Sequence, residues 1–524
     1  MRTPAVSYSM KAASGARPKV QDNRPGKSAE AAILGANNHD LTPIGDTVTG
    51  ASPPRCALDL VDQQFAGLAT EVIQFLSNFL ARLSDTPASY PNEKHSLLLD
   101  SSPRRNPPED GLPLSDVLGI IAHAAEPRIN TAGGGFMAYV PGGGLVAAAI
   151  ADLIAGVMNP YTGVAAAAPA LVALEVDMLH WLTKLVGLPP TAFGILTSGA
   201  SLATLSAFLC ARTAHLPEEF PLGTVYITDQ THHATAKALR LLGFPGDVLR
   251  LIPVDSELRM DLKLLKEAII TDRAAGRRPF CIVANAGSTN TGTIDPLPAI
   301  AEIARRENLW FHVDAAYGGF FQLTERGRNR MSGIEQADSV VLDPHKGLFL
   351  PYGTGCLLVR DREILRRAHT VDKPSFLQDL DEPQFPDFAD LSPELTRPYR
   401  GLRLWLPFYL HGVAAFRHAL DEKLDLAENA YHALQQTPGL QLIGSPDLSI
   451  VAVRCRAPSG APRDNDDATL KMVEQLNATG RIFLSTTRIR EQVFARIAIL
   501  GFRTSAHEVA EAVTAMQNFA NQLN

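Results

Sequence analysis

Two changes of period divide the chain by its apolar and polar positions. Between residues 57 and 83, apolar side chains recur at helical spacing (Leu58, Val61, Phe65, Leu68, Val72, Ile73, Leu76, Leu80), which predicts an amphipathic helix. Residues 84–113 lose that period and are rich in Pro, Ser and Asn, the composition of a linker. A second helix is expected over 115–125, with Ser115 as its N-cap. Past Asn130, alanine-rich helical stretches at 144–158 and 170–186 give way to β-branched runs at 194–197, 225–228, 248–252, 280–285, 310–313, 339–342 and 355–359. Strands alternating with helices in this way predict an α/β fold: a mostly parallel, seven-stranded sheet covered on both faces. Helical spacing returns from Leu404, and from about Leu440 strands mix with a last helix over 507–523. The expected organisation is a disordered tail (1–55), a helical segment (56–128), a large α/β domain (129–410) and a small α+β domain (411–524).

Composition narrows the function classes. A chain of 524 residues, 46% hydrophobic, can bury a large core in more than one domain. Its net charge of -7 is evenly spread, and no basic stripe points to nucleic acid. The longest apolar run, 144–158, is too short for a membrane span and carries Asp152. Cys56, Cys210, Cys281, Cys356 and Cys455 lack metal-ligand spacing; buried thiols in a reducing, cytoplasmic setting are expected. The N-terminus has basic residues but no apolar segment of the kind a secretory signal needs.

Candidate chemistry falls at the ends of the expected strands, where ligands gather in an open α/β sheet. Thr197-Ser198-Gly199-Ala200-Ser201 opens a helix and forms either a phosphate cradle or an ordinary serine cap. His232, in Asp229-Gln230-Thr231-His232-His233, is either a solvated loop residue or an imidazole stacked on a planar cofactor. Thr289 lies in Ala286-Gly287-Ser288-Thr289-Asn290-Thr291-Gly292, a plain turn or a contact to the cofactor ring. Asp314 ends an apolar strand, where a carboxylate caps a helix or pairs with a pyridinium. Lys346, in Asp343-Pro344-His345-Lys346-Gly347, is a surface lysine or the amine that forms a Schiff base with pyridoxal phosphate. Taken singly, each favours the ordinary reading; five in order at strand ends do not.

These residues reach a known pattern. From about Ala57 onward the chain resembles the group II pyridoxal-phosphate-dependent amino-acid decarboxylases, in particular bacterial aromatic-L-amino-acid decarboxylase-like members. The matching motifs are Ala138-Tyr139-Val140-Pro141, Thr197-Ser198-Gly199-Ala200-Ser201, Thr231-His232, His312-Val313-Asp314-Ala315-Ala316-Tyr317 and Asp343-Pro344-His345-Lys346, followed by Leu350-Pro351-Tyr352-Gly353-Thr354-Gly355. The resemblance implies a fold-type I (aspartate-aminotransferase-like) homodimer with active sites at the subunit interface. It implies that Lys346 carries the cofactor, Asp314 pairs with its ring nitrogen and His232 stacks on the ring. Thr289 and Ala316 would touch the ring, and Ala200 and Ser201 would hold the phosphate with Asp343 and His345 nearby. Tyr139, Val140, Pro141 and Arg400 would belong to the substrate pocket, and no metal is implied.

Two departures bear on the product and the substrate. The family's mobile loop carries a tyrosine that supports proton delivery to Cα. Counting back from Arg400, it falls on Phe388, and the nearby Phe376 and Phe385 also lack a hydroxyl. The expected reaction is decarboxylation of an aromatic or other neutral L-amino acid to an amine. The alternative is decarboxylation coupled to oxidative deamination, giving an aldehyde, ammonia and peroxide; a non-catalytic partner subunit is more remote. At a position that is often bulky and aromatic in the family stands Val140, before Gly142-Gly143-Gly144. The acidic stretch 378–394 reads as a solvated face of the loop; the alternative is a charge that would disfavour an acidic substrate side chain.

Overall fold

The computed structural model describes residues 58–60, 62–90, 106–125, 129–216, 220–370 and 384–523. The tail expected over 1–55, Cys56, Phe376 and the first part of the acidic stretch lie outside the described residues. The chain divides into two units, 1–67 and 68–524. The first expected helix runs over Asp62–Ala81. The second spans Leu114–Ala124, and Pro113, not Ser115, is its N-cap. Proline's fixed φ suits that first turn, and Ser115 Oγ turns instead to Asp116.

Seven strands form the main sheet: β1 (Phe193–Thr197), β2 (Gly223–Thr228), β3 (Leu249–Ile252), β4 (Arg278–Asn285), β5 (Trp310–Asp314), β6 (Ser339–Leu342) and β7 (Gly355–Val359). Their order is β1-β7-β6-β5-β4-β2-β3. The pairs β2–β3, β2–β4, β4–β5 and β5–β6 are parallel, and β7 runs antiparallel to both of its neighbours. Apart from β3 at the edge, the strands are almost wholly buried, so they read as unbroken apolar runs and not as alternating ones. Helix Ala200–His215 crosses β6 and β7, while helix Pro169–Val186 packs against β1 and the long helix Gly401–Gln435.

That long helix is broken at Gly412, whose φ of 75° and ψ of 153° are not helical. We place the boundary between the large and small domains at this break. Beyond it, β8 (Leu440–Leu442), β9 (Ile450–Cys455), β10 (Ser485–Ile489) and β11 (Gln492–Ala498) form an antiparallel sheet in the order β10-β11-β9-β8. Helices Pro462–Ala478 and Ala506–Leu523 contribute Met472, Leu476, Val513 and Met516 to its separate core. Cys210, Cys281, Cys356 and Cys455 are free and buried, and burial pushes each thiol pKa up. Among the described residues no helix is long and apolar enough to cross a membrane, and no acid, histidine and cysteine cluster could hold a metal ion.

Candidate active site

Strand register gathers the polar ends. Asn285 at the end of β4 pairs with Asp314 at the end of β5, and Asp314 pairs with Val341, two residues before Asp343. With the turn after β1, these ends enclose a cavity of about 320 Å³. Ser198, Gly199, Ala200, Ser201, His232, Asn285, Thr289, Asp314, Ala316, Asp343, His345 and Lys346 all line it.

Lys346 stands on the single turn Pro344–Gly347, with its Nζ 2.9 Å from Asp343 Oδ2. Asp343 is buried, and its other oxygen accepts the Ala200 N–H at 2.7 Å. One carboxylate thus joins the lysine to the N-terminus of a 16-residue helix, where the macrodipole favours negative charge. That helix begins at Gly199 without a side-chain cap, so the serine-cap reading of this motif does not hold. The His345 Nδ1–H donates to the Thr354 carbonyl at 2.7 Å. Burial lowers the His345 pKa, and the Asp343 charge opposes that shift.

His232 Nδ1 accepts the Ala234 N–H at 3.2 Å, so the neutral ring carries its proton on Nε2. Burial lowers its pKa, and Asp314 pulls the other way. Asp314 Oδ1 accepts the Ala316 N–H at 3.1 Å, which fixes the turn after β5. Thr289 lies on a loop closed by hydroxyl contacts from Thr291 to Ser288 (2.9 Å) and to Thr293 (2.7 Å).

Two supporting residues did not stand out in the sequence. Asp295 is buried and accepts the Asn285 N–H (2.7 Å), the Met260 N–H (2.8 Å) and the Asn285 side-chain amide (2.9 Å). Burial raises its pKa against those donors. Arg496 reaches from β11 to the carbonyls of Tyr139 (2.9 Å), Asn290 (3.0 Å) and Thr289, and to Ser485 Oγ (3.2 Å). The available signal is a cation inside an apolar strand, Phe494-Ala495-Arg496-Ile497-Ala498, which is costly unless fully bonded.

Other expected site residues stand apart from this cavity. Tyr139 is exposed with a φ of 55°, Val140 is half-buried and Pro141 is buried, and none of the three lines the cavity. Arg400 is buried and grips Glu394 with two bonds, at 2.7 and 2.9 Å, so its fork is occupied within the chain. Phe388 is fully buried; its ring lies 6.4 Å from that of Phe193 and 4.5 Å beneath the Arg397 guanidinium. Phe388 is therefore a core residue here and not the tip of a loop, because the ungapped count back from Arg400 ignored how 384–400 folds onto the large domain. The acids of that segment are engaged too: Asp387 Oδ1 accepts the Ala165 N–H at 2.8 Å, and Glu394 holds Arg400.

Residues 99–456 match the pyridoxal-dependent decarboxylase conserved domain. The chain belongs to this family. It is 31% identical over 479 residues to an aromatic-L-amino-acid decarboxylase from Bacillus atrophaeus, covering 89% of this chain and 98% of that one. It is 27% identical over 473 residues to a phenylacetaldehyde synthase from Arabidopsis thaliana, covering 86% and 95%. Among solved structures it superposes on Oryza sativa TDC with PLP and tryptamine with a TM-score of 0.83, at 27% identity, over 90% of this chain and all of that one. The decarboxylase fold is thus the fold-type I architecture, and the cofactor of the family is pyridoxal phosphate.

The cavity fits that cofactor. It offers an amine at Lys346, a carboxylate at Asp314, an imidazole at His232 and a helix N-terminus flanked by Ser198 and Ser201. Close approach of backbone makes the cradle: a Cβ on Gly355 would fall 2.3 Å from the Gly199 carbonyl carbon.

Proposed function

We propose that this decarboxylase acts on an aromatic or other neutral L-amino acid and releases CO2 and an amine. The observation that carries the reading is the cavity that Lys346, Asp314, His232 and the Ala200–His215 N-terminus line together. Bound pyridoxal phosphate supplies an aldehyde for an amine and a protonated ring that accepts the electron pair left at Cα. Lys346, whose Nζ stands beside Asp343 Oδ2, would hold the cofactor covalently through its aldehyde. Asp314 would pair with the ring nitrogen and keep it protonated, and the Ala316 N–H that it accepts holds that carboxylate in place. His232, its Nδ1 held by the Ala234 N–H, would stack on the ring, and Thr289 and Ala316 would also contact it. Ser201, at the first turn of the helix beside the Ala200 N–H that Asp343 occupies, would hold the phosphate. Asp343 screens Lys346 and, with His345, closes that end. Tyr139, Val140 and Pro141 would border the substrate side chain, and fixing the carboxylate perpendicular to the ring is positioning catalysis.

A second reading is favoured by one observation. By sequence position Phe376 and Phe385, which lack a hydroxyl, lie between Lys346 and Arg400, and the tyrosines there are Tyr352 and Tyr399. Tyr399 is buried and donates to the Leu171 carbonyl at 2.8 Å. A site short of a Cα proton donor favours reaction with oxygen, giving an aldehyde, ammonia and peroxide, and one relative carries the name of an aldehyde synthase.

The working unit in this proposal is a cytoplasmic homodimer. Helix Val146–Met158 leaves Ile150, Leu153, Ile154, Val157 and Met158 exposed, and Tyr409 and Leu410 are exposed as well. The test is one experiment on purified holoenzyme: CO2, amine, aldehyde, ammonia and peroxide are measured across an amino-acid panel. Lys346→Ala serves as the control, and borohydride should fix the cofactor to the wild type alone. Cofactor fixed equally to Lys346→Ala would overturn the assignment; aldehyde and peroxide matching CO2 would replace the amine reading with the second.

A further inference from the structure

Tyr352 lies on the turn that follows Lys346, and its ring is held at the edge of the cavity. His345, which lines the cavity, meets that ring edge-on with centroids 5.7 Å apart. The same ring rests against Gly142. A Cβ there would fall 3.1 Å from Tyr352 Cε1, 3.4 Å from its Cζ and 2.7 Å from the His345 carbonyl oxygen. Only a residue without a side chain lets the rim pass so close.

The turn is pinned on both sides. The Thr354 carbonyl accepts the His345 N–H at 3.4 Å and the Nδ1–H at 2.7 Å. Arg403 donates to the Tyr352 carbonyl at 3.4 Å and to Thr354 Oγ1 at 2.8 Å. The ring is thus fixed by its backbone and neighbours, yet the residue is 57% exposed, and among the described residues nothing hydrogen-bonds its hydroxyl.

The rim beside it has little else to offer a polar group. Arg496 ties the Tyr139 carbonyl to that of Thr289, a cavity residue, so this segment borders the cavity. After Tyr139 it runs Val140, Pro141, Gly142, Gly143 and Gly144, with no hydrogen-bonding side chain. Pro141, Gly142 and Gly143 are buried and the Tyr352 ring packs on Gly142, so the phenol of Tyr352 is an exposed polar group on this side of His345.

We propose that Tyr352 is a specificity-determining residue that reads a hydrogen-bonding group at the far end of an aromatic substrate, favouring a phenol over an unsubstituted ring. The assignment rests on the decarboxylase reading above. A phenol hydroxyl both donates and accepts, so Tyr352 satisfies a second phenol that would otherwise lie unpaired against the apolar rim.

Holoenzyme and its Tyr352→Phe variant decide it. In the variant, the kcat/KM ratio of L-tyrosine to L-phenylalanine should fall about fivefold, as expected for one neutral hydrogen bond. The affinity ratio of tyramine to phenethylamine, read from the cofactor's absorbance without turnover, should fall by the same factor. An affinity ratio unchanged within about twofold overturns the assignment, because a purely structural role would weaken both amines alike. If the wild type releases no CO2 from either amino acid, the decarboxylase reading falls, while the amine affinities still decide the role of Tyr352.

Discussion

Replacing Arg496 tests how the small domain holds the cavity. Its guanidinium is buried, and desolvation lowers its pKa to about 10, so it stays charged at neutral pH. Its bonds reach three carbonyls and one hydroxyl drawn from three segments: Tyr139, the Thr289–Asn290 loop and β10. A hydrogen bond to a charged group is worth roughly 1.5–3 kcal/mol net, and bonds sharing one side chain are not additive. Arg496→Ala leaves those partly buried carbonyls without their partner as well, so a loss of about 3 kcal/mol is expected. Arg496→Lys keeps the charge but not the planar fork, and should recover about half of that. The assay is urea unfolding at fixed protein and cofactor concentrations, with cofactor retention after gel filtration read alongside. Both should fall together, since Thr289 loses its anchor. A loss below about 1 kcal/mol for Arg496→Ala would refute the reasoning.

Three further expectations follow from burial and close contact. Burial brings the His312 pKa down to about 4, against about 6.5 unfolded, so the unfolded chain takes up that proton first. His312 therefore costs stability progressively as pH falls from about 6.5 to about 4, by about 3 kcal/mol in all, and His312→Gln should flatten that slope in urea titrations. Gly355→Ala drives a Cβ to within 2.3 Å of the Gly199 backbone, so a loss of about 3 kcal/mol and weakened cofactor binding are expected; a normal absorbance spectrum would contradict this. Phe388→Tyr buries a hydroxyl and should cost about 2 kcal/mol without altering the amine-to-aldehyde ratio, whereas a changed ratio would return Phe388 to the reacting centre.

The core strands were legible because they are buried on both faces. Unbroken runs such as Ser339–Leu342 and Gly355–Val359 have one reading, and their ends carry the site. Asp314, Asp343 and Lys346 were visible for the same reason: Asp314 ends such a run, Asp343 follows one directly and Lys346 comes three residues later. Contacts made far along the chain were not visible. Nothing local announces that Asp295 holds Asn285, that Arg496 spans two domains or that Glu394 occupies Arg400. Phe388 failed by a similar route, since its surroundings come from Phe193 and Arg397 and not from a position in a count.

The antiparallel strand in the sheet also sets a schedule for synthesis. β1 pairs only with β7, from Phe193 with Val359 to Thr197 with Gly355, so its partner lies about 160 residues later. At roughly 5–20 residues per second, an apolar strand waits roughly 10–30 s on the ribosome before its partner is made. The phosphate-binding turn after β1 waits with it, because Gly199 takes its place only against Gly355. The first half of the cofactor site therefore cannot be completed until nearly all of the large domain has emerged, and nascent chains halted before residue 355 should be the ones that chaperones hold.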